Sequence, residues 1–494
     1  MSTIAVKQNE SVLTPQKSSV QSEQAVRPVP ILISFLIAGF IGLFSETALN
    51  MALGRLMIEL DVASSTVQWI TTGYLLTMGI LIPISALLIQ WFTTRQLFVA
   101  SLLFSIVGAI VSGIAPTFTV LLLGRVIQAV GTGLIIPLMF HTVLIIFPIE
   151  KRGTIMGLIG LVMMTAPAIG PATSGLIIEM LSWNWILWVI IPFLVFSLVY
   201  GLAFVQNVSK LTKPKVDMPS IVLSTLGFGG IVYGFSVAGD KGWGSLLVIS
   251  ALLVGLVSLL IFSLRQLKLE KPMLDLRAFK YPMFTLGVLS VVATFMIILS
   301  SMILLPLYLQ TGLGLTALTA GLILMPGGVL NGVLSPIAGR AFDKFGTKWL
   351  LTPGFIIMLI MLWQLSNVTT ETSIAMMIFL HSGLMAGVTL VMMPAQTNGL
   401  NQLPRYLYAD GTALINTLMQ VSGSIGTALA ITIMATSQNS YLQSLADVSD
   451  PAVASTSLTA GVQTAFILGV VLAISGLVMS LFIKKSTAPQ PQNT

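Results

Sequence analysis

The chain has 494 residues, is 55% hydrophobic and 8% charged, and carries a net charge of +7 with a mean hydropathy of +0.98. That balance excludes a water-soluble globular domain: ~20 apolar residues suffice to cross ~30 Å of hydrocarbon, and such runs recur from end to end. The absence of cysteine excludes disulfides, thiolate metal sites and thiol catalysis, and two histidines are too few for a dedicated metal cage.

Residues 1–29 are polar, include Lys7, Lys17 and Arg27, and lack the short apolar core and small-residue cleavage site of a secretory signal. They read as a disordered cytoplasmic tail. The apolar runs then predict fourteen membrane helices, near 30–53, 67–89, 96–114, 118–147, 154–178, 185–206, 219–238, 245–265, 282–308, 318–338, 348–365, 372–398, 411–436 and 459–483. The first run holds Glu46, a carboxylate well inside an apolar span. A charged side chain there costs about 2.5–3.5 kcal/mol on insertion scales, so it should face an interior cavity and serve a function.

An even number of spans puts both termini on one side and divides the loops into two sets. The set sharing a side with the termini holds twenty of the 23 lysines and arginines; the other holds only Arg55 and Lys241, and Arg125 lies within the fourth span. Lys and Arg accumulate in cytoplasmic loops, so the termini are expected in the cytoplasm. The same asymmetry explains the high pI without nucleic acid.

The break after the second span, PISALLIQWFTTRQ, aligns with the break after the tenth, PIAGRAFDKFGTK, at an offset of 253 residues from Pro83 to Pro336. An eight-helix offset implies two related six-helix halves, 30–206 and 282–483, separated by two extra helices and a loop (207–281) and followed by a tail (484–494). In the second copy Gly339 permits close approach, Asp343 can cap or pair, Gly346 makes a tight turn, and Lys344 and Lys348 sit at the headgroups. The first copy has Gln90 in place of the aspartate.

With these features the chain resembles the major facilitator superfamily, in its 14-helix drug:proton antiporters of the QacA/EmrB type, and most of all the lincomycin-resistance branch. GRAFDKFGTK at 339–348 is similar to the superfamily loop signature, and LLLGRVIQAVGTGLIIP at 121–137 to the helix 4 signature. APAIGPATSG at 166–175 resembles the antiporter signature of helix 5, with Gly170, Pro171 and Gly175 kept. SETALNMALG at 45–54 resembles the helix 1 signature, with Glu46 at the acidic position and Asn50 kept.

The resemblance implies an all-α polytopic membrane protein, two six-helix bundles plus two intervening helices, in a bacterial cytoplasmic membrane. It implies proton-coupled efflux of drug-like molecules by alternating access, by a monomer that needs no cofactor beyond the proton gradient. It also implies that the helix 5 signature seals and unseals the central pathway, beside ordinary tight packing. An exporter dedicated to one endogenous metabolite, lipid or peptide is the alternative, and a non-transporting receptor a remoter one. Nothing supports an enzyme: there is no phosphate-binding glycine loop with lysine, no metal cluster and no nucleophile paired with histidine.

Glu46 has two candidate tasks, proton carrier and counter-charge for a cationic drug, against a fixed ion pair with Arg125 or an exposed position near the outer mouth, since it lies past the midpoint of its helix. Arg125 is expected to tune the release of that proton or to anchor helices, with Gln128 one turn on sharing its network. Tyr308, Gln310, Asn331, Gln396, Asn398, Asn416 and Gln420, with Asn50 and Gln128, are polar candidates for a substrate cavity or for contacts between helices. His141 and His381 read as hydrogen-bonded packing residues that could also titrate. One interior acid favours neutral, zwitterionic or monocationic substrates.

Overall fold

A computed structural model describes residues 27–62, 64–67, 69–209, 211–213, 217–443 and 451–484. Most of both tails therefore lies outside the described residues. Fourteen long helices form: α1 (Pro28–Ala48), α2 (Trp69–Trp91), α3 (Thr94–Gly113), α4 (Phe118–Ile146), α5 (Ile149–Met180), α6 (Asn184–Phe204), α7 (Met218–Lys241), α8 (Leu246–Lys268), α9 (Pro282–Leu307), α10 (Ala317–Phe345), α11 (Lys348–Leu365), α12 (Ile374–Gln402), α13 (Tyr408–Gln443) and α14 (Pro451–Phe482). Thirteen spans among the described residues are long and apolar enough to cross a membrane. α5 completes the set, with its cations Lys151 and Arg152 confined to the first turn.

Every expected span is present, and the largest internal difference is in the first. Instead of running unbroken to 53, α1 stops at Ala48, passes through a 3-10 turn (Leu49–Ala52) and resumes as a short helix (Leu53–Glu59). That short helix is tied to the α5–α6 turn: Arg55 Nη1 donates to the Ile178 carbonyl at 2.8 Å and Trp183 Nε1 to Glu59 Oε2 at 2.7 Å.

Packing repeats with the offset of eight helices read from the loops. α1 packs on α4, α5 and α6, as α9 packs on α12, α13 and α14. Likewise α4 receives α2 and α3 as α12 receives α10 and α11, and α3 meets α6 as α11 meets α14. Between the two groups, α5 lies against α10 and α12, while α13 lies against α2 and α4. The extra helices pair with each other, and α7 alone of the two packs on both α2 and α13. Their base is clasped at the end of the bundle that carries the termini, where Arg265 Nε and Nη2 donate to Asp217 at 2.7 and 2.8 Å. The guanidinium holds the Asp217 carboxyl below the usual carboxylate range, so this clasp stays ionised near neutral pH.

The α5–α10 seam is closed at that basic end. A Cβ on Gly339 would collide with the Gly153 carbonyl, and one on Gly157 would stand 2.5 Å from the Ser335 carbonyl. Glycine at these positions lets two backbones meet.

Candidate functional site

The last four carbonyls of a helix have no partner within it. At the end of α1 these include Ser45 and Glu46, and Arg125 from α4 reaches across to both: Nη1 donates to the Ser45 carbonyl at 3.0 Å and Nη2 to the Glu46 carbonyl at 3.4 Å. Nη1 also donates to Ser45 Oγ at 3.1 Å and to Gln128 Oε1 at 2.8 Å. A cation placed there complements the negative end of the helix dipole. Arg125 is fully buried and lies 4.2 Å over the Tyr74 ring of α2. Tyr74 in turn hydrogen-bonds Thr132 Oγ1 at 2.6 Å and the Gly42 carbonyl at 3.2 Å. One network thus ties α1, α2 and α4 at the level of Glu46.

Glu46 itself is half-buried. Arg125 is the charged group whose field reaches its carboxylate. Among the described residues the ion pairs are Asp217–Arg265 and Asp275–Arg277, so Glu46 is in none. The arginine is held by backbone and Gln128, and the acid beside it keeps its oxygens free of a fixed cationic clamp. That arrangement can hold a proton, a cation or neither, which a locked salt bridge could not.

Gly170 brings α5 against α1 one residue from Glu46. A Cβ there would stand 2.5 Å from Thr47 Oγ1 and 3.3 Å from the Phe44 carbonyl, and Thr47 Oγ1 donates to the Pro167 carbonyl at 3.4 Å. Gly170→Ala should therefore push the helices apart and lower transport by about tenfold, with partial recovery in Gly170→Ala/Thr47→Ala, where the colliding hydroxyl is gone. Initial rates in vesicles, normalised to protein in the membrane, check this; no recovery would show that the hydroxyl contact is not the cause. Gly175, expected to pack, meets no atom of another helix within 4 Å of its Cβ position among the described residues. Pro171 lies in α5 and Asn50 in the 3-10 turn, but their side chains fall outside the described residues.

Among the described contacts, the second-half candidates have partners other than Glu46. Tyr308 donates to the Thr369 carbonyl at 2.6 Å from a π-helical turn at the end away from the termini, and Gln310 beside it is exposed. Asn416 donates to Thr412 of its own helix at 2.8 Å, and Gln420 is half-buried on the next turn. Gln396 and Asn398 are buried in α12, and Asn398 donates to the Lys484 carbonyl at 3.1 Å. Asn331 is the exception in placement: with Gly160, Met164, Ser335, Thr389 and Met392 it lines a narrow cleft between α5, α10 and α12. His141 is buried against Ser209, and His381 is buried beside Gly327.

A second cluster closes the basic end. Asp343 accepts from Gly153 N and Thr154 N at 2.8 Å each and from Thr154 Oγ1 at 2.6 Å, so the loop signature of one half latches onto the start of α5 in the other. Gly339 lies at the contact described above, Gly346 adopts φ +83° in the turn, and Lys344 and Lys348 are exposed. Gln90, in the first copy, holds the linker instead, accepting from Thr212. Arg152 adds a latch that sequence reasoning counted only as a loop charge. Buried, it bonds Asn401 Oδ1 at 2.9 Å and the Tyr408 hydroxyl at 3.1 Å, together with the Leu144 and Phe147 carbonyls.

A family model described as Major Facilitator Superfamily matches residues 35–427. The lincomycin resistance protein LmrB of Listeria innocua is 60% identical over 463 residues, covering 94% of this chain and 98% of that protein. LmrB of Bacillus subtilis is 58% identical over 471 residues, covering 95% and 98%. The multidrug export protein EmrB of Haemophilus influenzae is 30% identical over 403 residues, covering 81% and 79%. Among solved structures, the proton:xylose symporter XylE matches with a TM-score of 0.62 at 14% identity, covering 93% of this chain and 96% of that one, a likeness of fold.

Proposed function

Because the chain belongs to the Major Facilitator Superfamily, and its relatives include lincomycin resistance proteins, we propose that it is a proton-coupled drug exporter working by alternating access. The basic end then lies in the cytoplasm of a bacterial cell, with the opposite end outside. On this reading, closure of the α5–α10 seam at the basic end corresponds to an outward-facing state. The substrates are neutral, zwitterionic or monocationic lipophilic molecules of the size of lincomycin. The protein works as a monomer whose moving units are the six-helix groups α1–α6 and α9–α14.

The observation that carries this reading is the unpaired Glu46 carboxylate beside a backbone-anchored Arg125. In the outward-facing state Glu46 takes a proton from outside and gives up drug; facing inward it loses the proton and accepts drug. Arg125 supplies a permanent positive field at that exchange point while its own contacts fasten α1 to α4. One net charge moved inward across ~100 mV yields ~2.3 kcal/mol, which supports roughly a fifty-fold gradient of a neutral drug at ~1.4 kcal/mol per decade.

The test is efflux from proteoliposomes with an imposed gradient, acid on the side equivalent to the exterior. Lincomycin and a lipophilic monocation should be exported against their gradients, and a protonophore should stop both. Export unaffected by the protonophore would refute proton coupling.

A further inference from the structure

The halves meet along two seams, α5–α10 and α2–α13, and α7 lies across the second, packed on both of its helices. When the halves rock, α7 must keep its place on one of them and slip on the other. Its contacts, and those of the segments on either side of it, decide which.

The linker that leads into the hairpin is fastened to the first half. The Gln90 carbonyl accepts from Thr212 N at 3.2 Å and from Lys213 N at 3.3 Å. Ser209 Oγ lies 3.2 Å from Thr94 Oγ1, and Asn207 Oδ1 accepts from Arg95 N at 3.2 Å. Gln90, which stands where the second copy of the loop has Asp343, thus anchors this linker, whereas Asp343 latches across a seam.

From Asp217 onward the partners change. α7 and α8 form one unit, because a Cβ on Gly230 would stand 2.8 Å from the Ala251 carbonyl and the Asp217–Arg265 clasp joins their bases. The return loop folds back on α8: Gln266 Oε1 accepts from Met273 N at 2.8 Å and from Leu274 N at 3.3 Å, and Arg277 Nη2 donates to the Leu269 carbonyl at 3.0 Å. That loop is then held by α13, whose buried Asp410 accepts from Asp275 N at 3.0 Å. Toward the outer end, Trp243 Nε1 donates to Thr432 Oγ1 at 2.6 Å. Asp410 and Thr432 lie 22 residues apart, about 33 Å of helix, so α13 holds the hairpin at both of its ends.

Against α2 the contact has another character. Gly79 faces Val232, Gly229 faces Ile80 and Leu76, and the Trp69 and Tyr233 rings stand 5.6 Å apart. Apolar side chains over glycine give a surface on which packed helices can shear, since such contacts have no fixed direction. Hydrogen bonds from a backbone amide to a buried carboxylate and from an indole to a hydroxyl do have one.

We propose that the extra hairpin is a moving part of the second half: α7–α8 travels with α9–α14, and α2 slides along α7 as the halves rock. This inference rests on alternating access in the reading above.

The cysteine-free chain allows the hairpin to be tied to either side. W69C/Y233C joins it to α2 and W243C/T432C joins it to α13, each in the outer half, through the same short bis-methanethiosulfonate reagent. Opening of the cytoplasmic seam is read without drug, as hydrogen exchange at the Gly153 and Thr154 amides that Asp343 holds. The bridge to α2 should slow that exchange at least about tenfold, and a reductant should restore it; the bridge to α13 should leave it within about twofold. If the aromatic pair cannot be replaced without loss of the fold, G79C/V232C supplies the α2 bridge as a direct disulfide, since a Cβ on Gly79 would stand 4.0 Å from that of Val232. Slowing by the α13 bridge alone would place the hairpin with the first half and overturn the assignment. Equal slowing by both bridges, or by neither, would overturn it as well. The exchange needs no drug, so a chain that exported none would refute the exporter reading while the bridges still decided where the hairpin belongs.

Discussion

Glu46→Gln is expected to lower proton-driven export by about a hundredfold or more while leaving passive exchange of a neutral drug across the membrane within about threefold of the parent. The amide copies the shape and neutrality of the protonated acid, so the halves can still rock around a loaded site. What is lost is the ability to give the proton up inside, and with it the coupling to the gradient. A monocationic drug separates the two tasks of the residue. If the carboxylate is also its counter-charge, exchange of the cation falls along with export, whereas a pure proton carrier leaves it intact. Export by Glu46→Gln at the parental rate with unchanged pH dependence would remove Glu46 from the mechanism.

The second large effect concerns the latch at the other end. Thr154 Oγ1 and Asp343 Oδ2 stand 2.6 Å apart across the halves, with no native cysteine to confuse the chemistry. T154C/D343C puts two thiols on side chains that face each other across this seam, to be joined by oxidation. Oxidation should stop export of every substrate, by about fiftyfold or more, and a reductant should restore it, because the drug can enter only when this seam parts. Transport that continues at full rate in the oxidised protein would mean the seam is not the cytoplasmic gate. Opening it in the native protein must also release Arg152 from Asn401 and Tyr408. Arg152→Lys keeps the charge but cannot reproduce contacts to several acceptors at once.

Much of this was legible in the sequence, and the reasons differ by feature. The helices follow from length and hydropathy, which the bilayer makes nearly sufficient. The repeat followed from one loop pair, PISALLIQWFTTRQ and PIAGRAFDKFGTK, and the packing of α1–α6 and α9–α14 carries the same offset. Glu46 and Arg125 stood out because charge in an apolar run is expensive, and Gln128 because it lies one turn from Arg125. Tyr74 and Thr132 did not, since a tyrosine or threonine in a span costs little and its direction is set by packing. The only sequence signal for Tyr74 was a hydroxyl in an apolar run, which must find a partner when buried.

Two of the polar residues of the second half find partners of a kind that composition does not reveal. Tyr308 and Asn416 satisfied their hydrogen bonds on nearby backbone, an outcome that composition cannot tell from a ligand contact. Arg152 was missed because a basic residue beside Lys151 in a cytoplasmic loop reads as a topology signal. The break in α1 has no proline to signal it, and it follows directly on the turn where Arg125, 79 residues away in sequence, takes the Glu46 carbonyl.

The central claim is that proton and drug exchange at Glu46, and one measurement addresses it directly. In weakly buffered detergent solution without any gradient, saturating lincomycin or a lipophilic monocation would be added while pH is recorded. Competition at one carboxylate requires release of about one proton per drug molecule bound by the parent, and none by Glu46→Gln. Drug binding that releases no proton from the parent, or the same number from Glu46→Gln, would contradict it.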